Sequence, residues 1–191
     1  EKDDDAKIYW DTEIETGRMK RAIIDMFFDS FFQIFIQDKR YNISNDDKIM
    51  YARVDSLAKS YQHFIDHYCG GDKSVIISQM RDYAICFRST FRPDICEVSV
   101  PSTSSIERLN VVIFGLKTST LIPYTLYIAK NVHDEEERRT MYGILEGYIM
   151  RRMVVHALTK NYNNLFTSLI HNEVLEPASL VAKLLSGNDA T

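Results

Sequence analysis

The chain has 191 residues, 45% of them hydrophobic and 12% aromatic, and its 23 Lys and Arg against 27 Asp and Glu leave a formal net charge of −4. That length buries a core for one ordinary domain or two small ones, and the composition excludes a disordered tail or low-complexity linker. The mild acidity excludes a generic nucleic-acid glue, which needs a strong positive field, so any phosphate contact must come from a local patch.

Seven Gly and four Pro are few, which argues against a loop-rich sandwich or barrel and for long helices. Cys69, Cys86 and Cys96 are three thiols with no CxxC pair; they form no disulfide framework and suit a reducing compartment. No apolar run reaches the ~18 residues of a membrane span. The richest, Ile23 to Ile36, is broken by Asp25, Asp29, Ser30 and Gln33. A cytoplasmic location is therefore expected. The opening Glu-Lys-Asp-Asp-Asp has no signal peptide and no initiator Met, and it reads as a cut inside a longer protein.

Residues 1–17 form a polar lead-in whose only large apolar side chains are Tyr9 and Trp10. A helix is predicted from about Arg18 to Asp38, apolar over most of its circumference and so central to the domain. One wetter stripe, Ala22, Asp25, Asp29, Gln33 and Gln37, runs along it. A charged loop over 38–47 leads to a second helix capped near Ser44–Asp47. Its inward residues are Met50, Val54, Leu57, Tyr61, Phe64, Ile65 and Tyr68, and Gly70-Gly71 ends it.

The third helix runs from about Asp72 to Arg92, with Ile76, Met80, Tyr83, Ala84, Phe87 and Phe91 inward, and Pro93 stops it. After a loop over 93–104, Ser104-x-x-Glu107 reads as a capping box for a helix to about Leu116. Pro123 sits in the first turn of a helix to about Asn131. A long helix from near His133 to about Leu158 opens on Asp134 to Glu137, which favour the positive end of its dipole. Helices over about Lys160–Asn172 and from Pro177 to about Leu185, ended by Gly187, complete the chain. The expected fold is all-α, a bundle of about seven to eight helices with mostly antiparallel neighbours and no sheet, spanning 18–186 with a tail at 187–191.

His63 and His67 have the i,i+4 spacing that can grip a metal, close to Asp66 and Cys69. At 100° per residue both histidines fall opposite the inward face, and Phe64 stands where a metalloprotease motif needs Glu, so the reading is a solvated face and no metal. Cys69 beside His67 on a fraying helix end lacks the geometry of a nucleophile pair. Arg81, Arg88 and Arg92, at i, i+7 and i+11, fall within about 40° of one another beside the apolar face. Such a stripe holds phosphates, faces a partner's carboxylates, or pairs with neighbouring acids. Arg151-Arg152 is the sharpest anomaly. Met141, Ile144, Leu145, Tyr148 and Val155 set the inward face, and Arg152 lands close to its centre with Arg151 on its edge. An arginine aimed at a core needs a carboxylate, a set of helix C-terminal carbonyls, or a ligand or domain surface.

The run Gly147-Tyr148-Ile149-Met150-Arg151-Arg152-Met153-Val154-Val155, followed by Leu158-Thr159-Lys160-Asn161-Tyr162-Asn163-Asn164-Leu165-Phe166, resembles a stretch of bacterial GmrSD-like proteins. These are modification-dependent restriction endonucleases and relatives built on a ParB/sulfiredoxin-like nucleotide-hydrolysing domain. Tyr9-Trp10 before Phe28, Phe31, Phe32 and Ile36, the Tyr83/Phe87 pair, and Leu121-Ile122-Pro123-Tyr124-Thr125-Leu126 are similar to other parts of the family pattern. The resemblance covers roughly 9–172. It implies a helical region that follows the catalytic domain. Neither the Asp-Gly-x-Gln-Arg-type motif of nucleotide hydrolysis nor a His-Asn-His nuclease motif occurs in the chain. Arg151 and Arg152 correspond to the family's paired arginines, and Lys160 and Asn163 to its following motif.

The expected function is thus a non-catalytic helical domain that couples a nucleotide-hydrolysing ParB-like domain to modified-DNA recognition and cleavage. Nucleotide and divalent metal belong to the other domains, and no catalytic residue or cofactor is assigned to this chain. The expected partners are the N-terminal nucleotide-hydrolysing domain and a C-terminal nuclease domain, with only weak DNA binding by this chain and no membrane. The alternative is a helical protein–protein interaction or oligomerisation module with no nucleic-acid role.

Overall fold

The computed structural model describes residues 2–16, 19–52, 57–101, 103, 105–156 and 161–186. Ten α-helices and one small hairpin are built from them: α1 (Lys2–Asp11), β1 (Glu13–Thr16), β2 (Met19–Ala22), α2 (Ile23–Phe35), α3 (Asn45–Tyr51), α4 (Leu57–Tyr68), α5 (Ser74–Thr90), α6 (Ser105–Asn110), α7 (Ile122–Asn131), α8 (Glu135–Val154), α9 (Tyr162–His171) and α10 (Pro177–Ser186). The molecule is predominantly helical, as the Gly- and Pro-poor composition requires. Among the described residues no helix is long and apolar enough to cross a membrane.

Two central helices organise the core. α2 buries Ile23, Met26, Phe27, Phe31, Phe32, Ile34 and Phe35, and α7 buries every side chain from Ile122 to Leu126 and then Ile128. Aromatic rings fill the space around α2. Phe27 and Phe87 meet edge-on at 5.4 Å, Phe32 and Tyr61 lie 4.3 Å apart, and Phe35 and Phe64 are 5.3 Å apart. Offset and edge-to-face ring pairs add about 0.5–1.5 kcal/mol each beyond the area they bury.

The hairpin and α1 depart from the expected lead-in without strands. β1 and β2 pair antiparallel, Glu13 with Ala22 and Thr16 with Met19. Alternation over only four residues on each side is a weak signal beside the long apolar run that follows. α1 is polar in sequence but is held by its two aromatic side chains. The Trp10 ring stacks 5.9 Å from Phe87, and Tyr9 donates a hydrogen bond to the Phe91 carbonyl at 3.1 Å.

Several expected boundaries hold. Ser44 caps α3 by accepting from the Asp47 N–H, Asp134 caps α8 by accepting from the Glu137 N–H at 2.8 Å, and Pro123 and Pro177 lie at the starts of α7 and α10. Others shift. The expected second helix is represented by α3 and α4, with Val54 outside the described residues. The helix expected to reach Leu116 passes at Val111 into a π-helical turn, Val111–Gly115, which ends at Lys117 in the left-handed region (φ 55°). Ser104 and Gly187, expected as a capping residue and a helix stop, lie outside the described residues, as do Gly17 and Arg18.

A candidate binding groove and the predicted arginines

β2 places Arg21 over the start of α2. Its guanidinium reaches the Asp29 carboxylate at 3.4 Å and the Asp25 carbonyl at 3.3 Å, and Gln33 donates to the other Asp29 oxygen at 3.2 Å. Arg21 and Asp29 are mostly covered, with side-chain exposures of 18% and 17%. Asp25, Asp29 and Gln33 belong to the expected wetter stripe, whose last member, Gln37, is buried two residues past the end of α2.

The stripe faces a second polar row. α9 buries Tyr162, Phe166, Leu169 and Ile170 on one side, which leaves Asn163, Asn164, Thr167, Ser168 and His171 on the other. Both rows line one groove of about 550 Å³, together with Ile36, Lys48 and Ile49 on the side of α3. The Nδ1 atom of His171 is buried there with no hydrogen-bond partner among the described residues. A buried ring nitrogen left so costs about 1–3 kcal/mol until something meets it.

Amide and hydroxyl groups supply both donors and acceptors and no net charge. Successive turns of a helix rise about 5.4 Å, and alternate residues of an extended chain are about 6.6 Å apart. Rows of this kind offer donors and acceptors to the backbone N–H and C=O groups of a polypeptide.

Of the residues singled out in the sequence, Asn163 lines this groove and is exposed. Lys160 lies outside the described residues. Arg152 is elsewhere, at the corner between α8 and α9. It stands over the rings of Tyr148 and Tyr162, with its guanidinium carbon 5.5 and 5.7 Å from their centroids. Burial raises the Tyr148 phenol pKa, while the charge of Arg152 and a hydrogen bond with it pull the other way. Both tyrosine faces attract the Arg152 guanidinium electrostatically at this corner. Arg151 is exposed and folds back along Gly147, where an added Cβ would stand 3.2 Å from its Nη1. Val155, expected inward, is 71% exposed. α8 stops at Val154, and His156 takes a left-handed conformation (φ 50°).

Arg81, Arg88 and Arg92 are all exposed, and they do not form one line. α5 ends at Thr90 and Phe91 is extended, because a residue shortly before Pro93 resists helical geometry. Arg92 instead pairs with Asp94 at 3.1 Å and lies 3.9 Å from Glu107.

His63 accepts or donates at 2.7 Å with the Tyr51 hydroxyl, and its ring stacks on His67 at 3.9 Å. Burial, with Asp72 adding to it, pushes the Cys69 thiol up, away from the thiolate. Among the described residues no three His, Cys, Asp or Glu side chains are grouped as metal ligands.

Arg21, Thr167, Ser168 and His171 were not singled out by sequence reasoning. The polar face of α9 is legible at helical spacing; its meeting with the α2 stripe is not. No protein family, curated protein or solved structure matches this chain.

Proposed function

We propose that this chain is a non-catalytic helical docking domain that holds an extended segment of a neighbouring protein domain in the groove between α2 and α9. The observation that carries this reading is the pair of facing polar rows, Asp29/Gln33/Gln37 and Asn163/Asn164/Thr167/His171, with the unpartnered Nδ1 of His171 among them. On the resemblance of the Arg151-Arg152 region, the neighbour is the ParB/sulfiredoxin-like nucleotide-hydrolysing domain of a GmrSD-like cytoplasmic defence protein. The chain then couples that domain to recognition and cleavage of modified DNA. Nucleotide and divalent metal are bound by the other domains.

The side-chain amides of the groove are the natural probes. A nitrogen-15 labelled chain is titrated with the separately produced ParB-like domain of a GmrSD-like protein. The NH2 signals of Gln33, Gln37, Asn163 and Asn164 shift together, and Asn164→Leu weakens binding several-fold, at about 1 kcal/mol for a lost hydrogen bond. Binding that leaves these signals unmoved overturns the groove as the docking site. No binding by the unaltered chain overturns the family setting.

A further inference from the structure

The groove between α2 and α9 has one wall of a different character. Lys48 and Ile49 of α3, with Ala52 just after it, line the same space as the two polar rows. Lys48 is half-buried, while Ile49 is a large apolar side chain left 64% exposed. With His171 neutral, the charges around the groove are Arg21, Asp29 and Lys48. Arg21 and Asp29 hold each other at 3.4 Å. Asp47, the neighbour of Lys48 on α3, is engaged by Tyr68 and Ser44. Lys48 itself makes no ion pair and no side-chain hydrogen bond among the described residues. The groove therefore presents one uncompensated positive charge next to one uncovered apolar side chain.

An ammonium that has lost part of its water without gaining a counter-charge is unfavourable, and a carboxylate brought to it makes a charge-assisted hydrogen bond. A cation brought to the same place is repelled. Ile49 gains from any apolar side chain that covers it, in proportion to the area removed from water. Lys48 and Ile49 are consecutive in α3. Alternate residues of an extended chain lie about 6.6 Å apart on one side, so a single segment meets both with side chains within about two positions of each other. The net charge of −4 gives the whole chain no general attraction for an acidic segment. The preference is local to Lys48, and one substitution there reverses it.

We propose that the groove selects its segment by an acidic side chain set against Lys48 and an apolar side chain set against Ile49. This specificity rests on the groove being the docking site, and it names the chemistry of what docks there. The polar rows hold the main chain of the segment, whatever its sequence; the α3 wall reads two of its side chains.

The test is selection of random ten-residue segments displayed on phage against the unaltered chain, keeping those whose binding Asn164→Leu weakens. The segments kept carry Asp or Glu within two positions of Leu, Ile, Val or Phe. A synthetic peptide of that sequence binds Lys48→Glu several-fold more weakly, and the same peptide with its acid changed to Lys recovers binding to Lys48→Glu. That recovery also excludes misfolding as the cause of the loss. Selection against Ile49→Ser keeps the acid and loses the apolar preference. Segments that are sensitive to Asn164→Leu but show no acidic preference, or whose acid is indifferent to Lys48→Glu, overturn the specificity and leave the docking site standing. So does an apolar preference that survives Ile49→Ser. Selection that yields no segment sensitive to Asn164→Leu overturns the docking site itself, and the specificity with it.

Discussion

The guanidinium of Arg152 lies over the ring of Tyr148, its carbon 5.5 Å from the centroid, one helical turn along α8. Tyr162 at the start of α9 takes a second position near it, at 5.7 Å. The double arginine of the sequence thus contains one exposed residue and one that ties two helices together across their connection.

Arg152→Ala should lower stability by about 1–2 kcal/mol, the range for a partly covered cation against aromatic faces. Thermal unfolding followed by circular dichroism reads this as a fall in Tm of a few degrees. Arg152→Lys should retain part of it, since an ammonium is also attracted to the rings but is not planar.

Tyr162→Phe tests the same corner from the other side. The Tyr162 hydroxyl is buried without a hydrogen-bond partner among the described residues. Removing it keeps the ring under Arg152 and relieves a desolvated oxygen, so stability should rise, by about 1 kcal/mol. A clear loss in denaturant titration would refute that account.

Asn110 is the polar hub between α5 and α6, 1% exposed. It accepts from the Arg92 N–H at 2.9 Å and donates to the Thr90 and Ile106 carbonyls, each at 2.9 Å. Asn110→Ala leaves these main-chain groups unpaired near the core and should cost about 3 kcal/mol. Asn110→Asp should be no better at neutral pH, because a carboxylate there faces two carbonyl oxygens. Urea unfolding of the two variants side by side checks both statements.

Asp47 supplies a pH dependence. A hydrogen bond from Tyr68 and then one from Ser44 hold its carboxyl below the usual range. A depressed folded-state value means that its contribution is present at neutral pH. The contribution is lost as pH falls through the folded value, on the acid side of about 4. Tyr68→Phe should move the Asp47 carbon-13 titration upward and make the acid limb of the stability curve shallower. The group is close to solvent, so the change in stability should stay below about 1 kcal/mol.

Gly143 lies within α8, and a Cβ added there meets nothing within 4 Å. Gly143→Ala should therefore raise stability by about 0.5–1 kcal/mol through helix propensity alone. Gly147→Ala should give less, because its Cβ must displace the Arg151 side chain.

Much of the helical content was legible because its signals are local. Ser44, Asp134, Pro123 and Pro177 sit where a helix needs a cap or a preset φ, and the spacing of Phe27, Phe31 and Phe35 places them on one face of α2. The hairpin was missed because β1 and β2 are four residues each and their partners are each other, not a large sheet. The line through Arg81, Arg88 and Arg92 failed for a local reason that was also available: Pro93 ends α5 two residues earlier than the apolar pattern does.

The sequence by itself determined that this is a helical molecule, that its first long helix is central, and that Asp29, Gln33 and Gln37 share a polar stripe. Each of these depends on hydrogen bonds and periodicity within a few residues. Only the tertiary structure decided that Trp10 would anchor α1 on Phe87, that Arg152 would settle between two tyrosines, and that the α2 stripe would face Asn163 and His171. These contacts join segments far apart in the chain. Their occurrence depends on how the helices pack, because a side chain's pattern states which face it lies on and not what lies opposite.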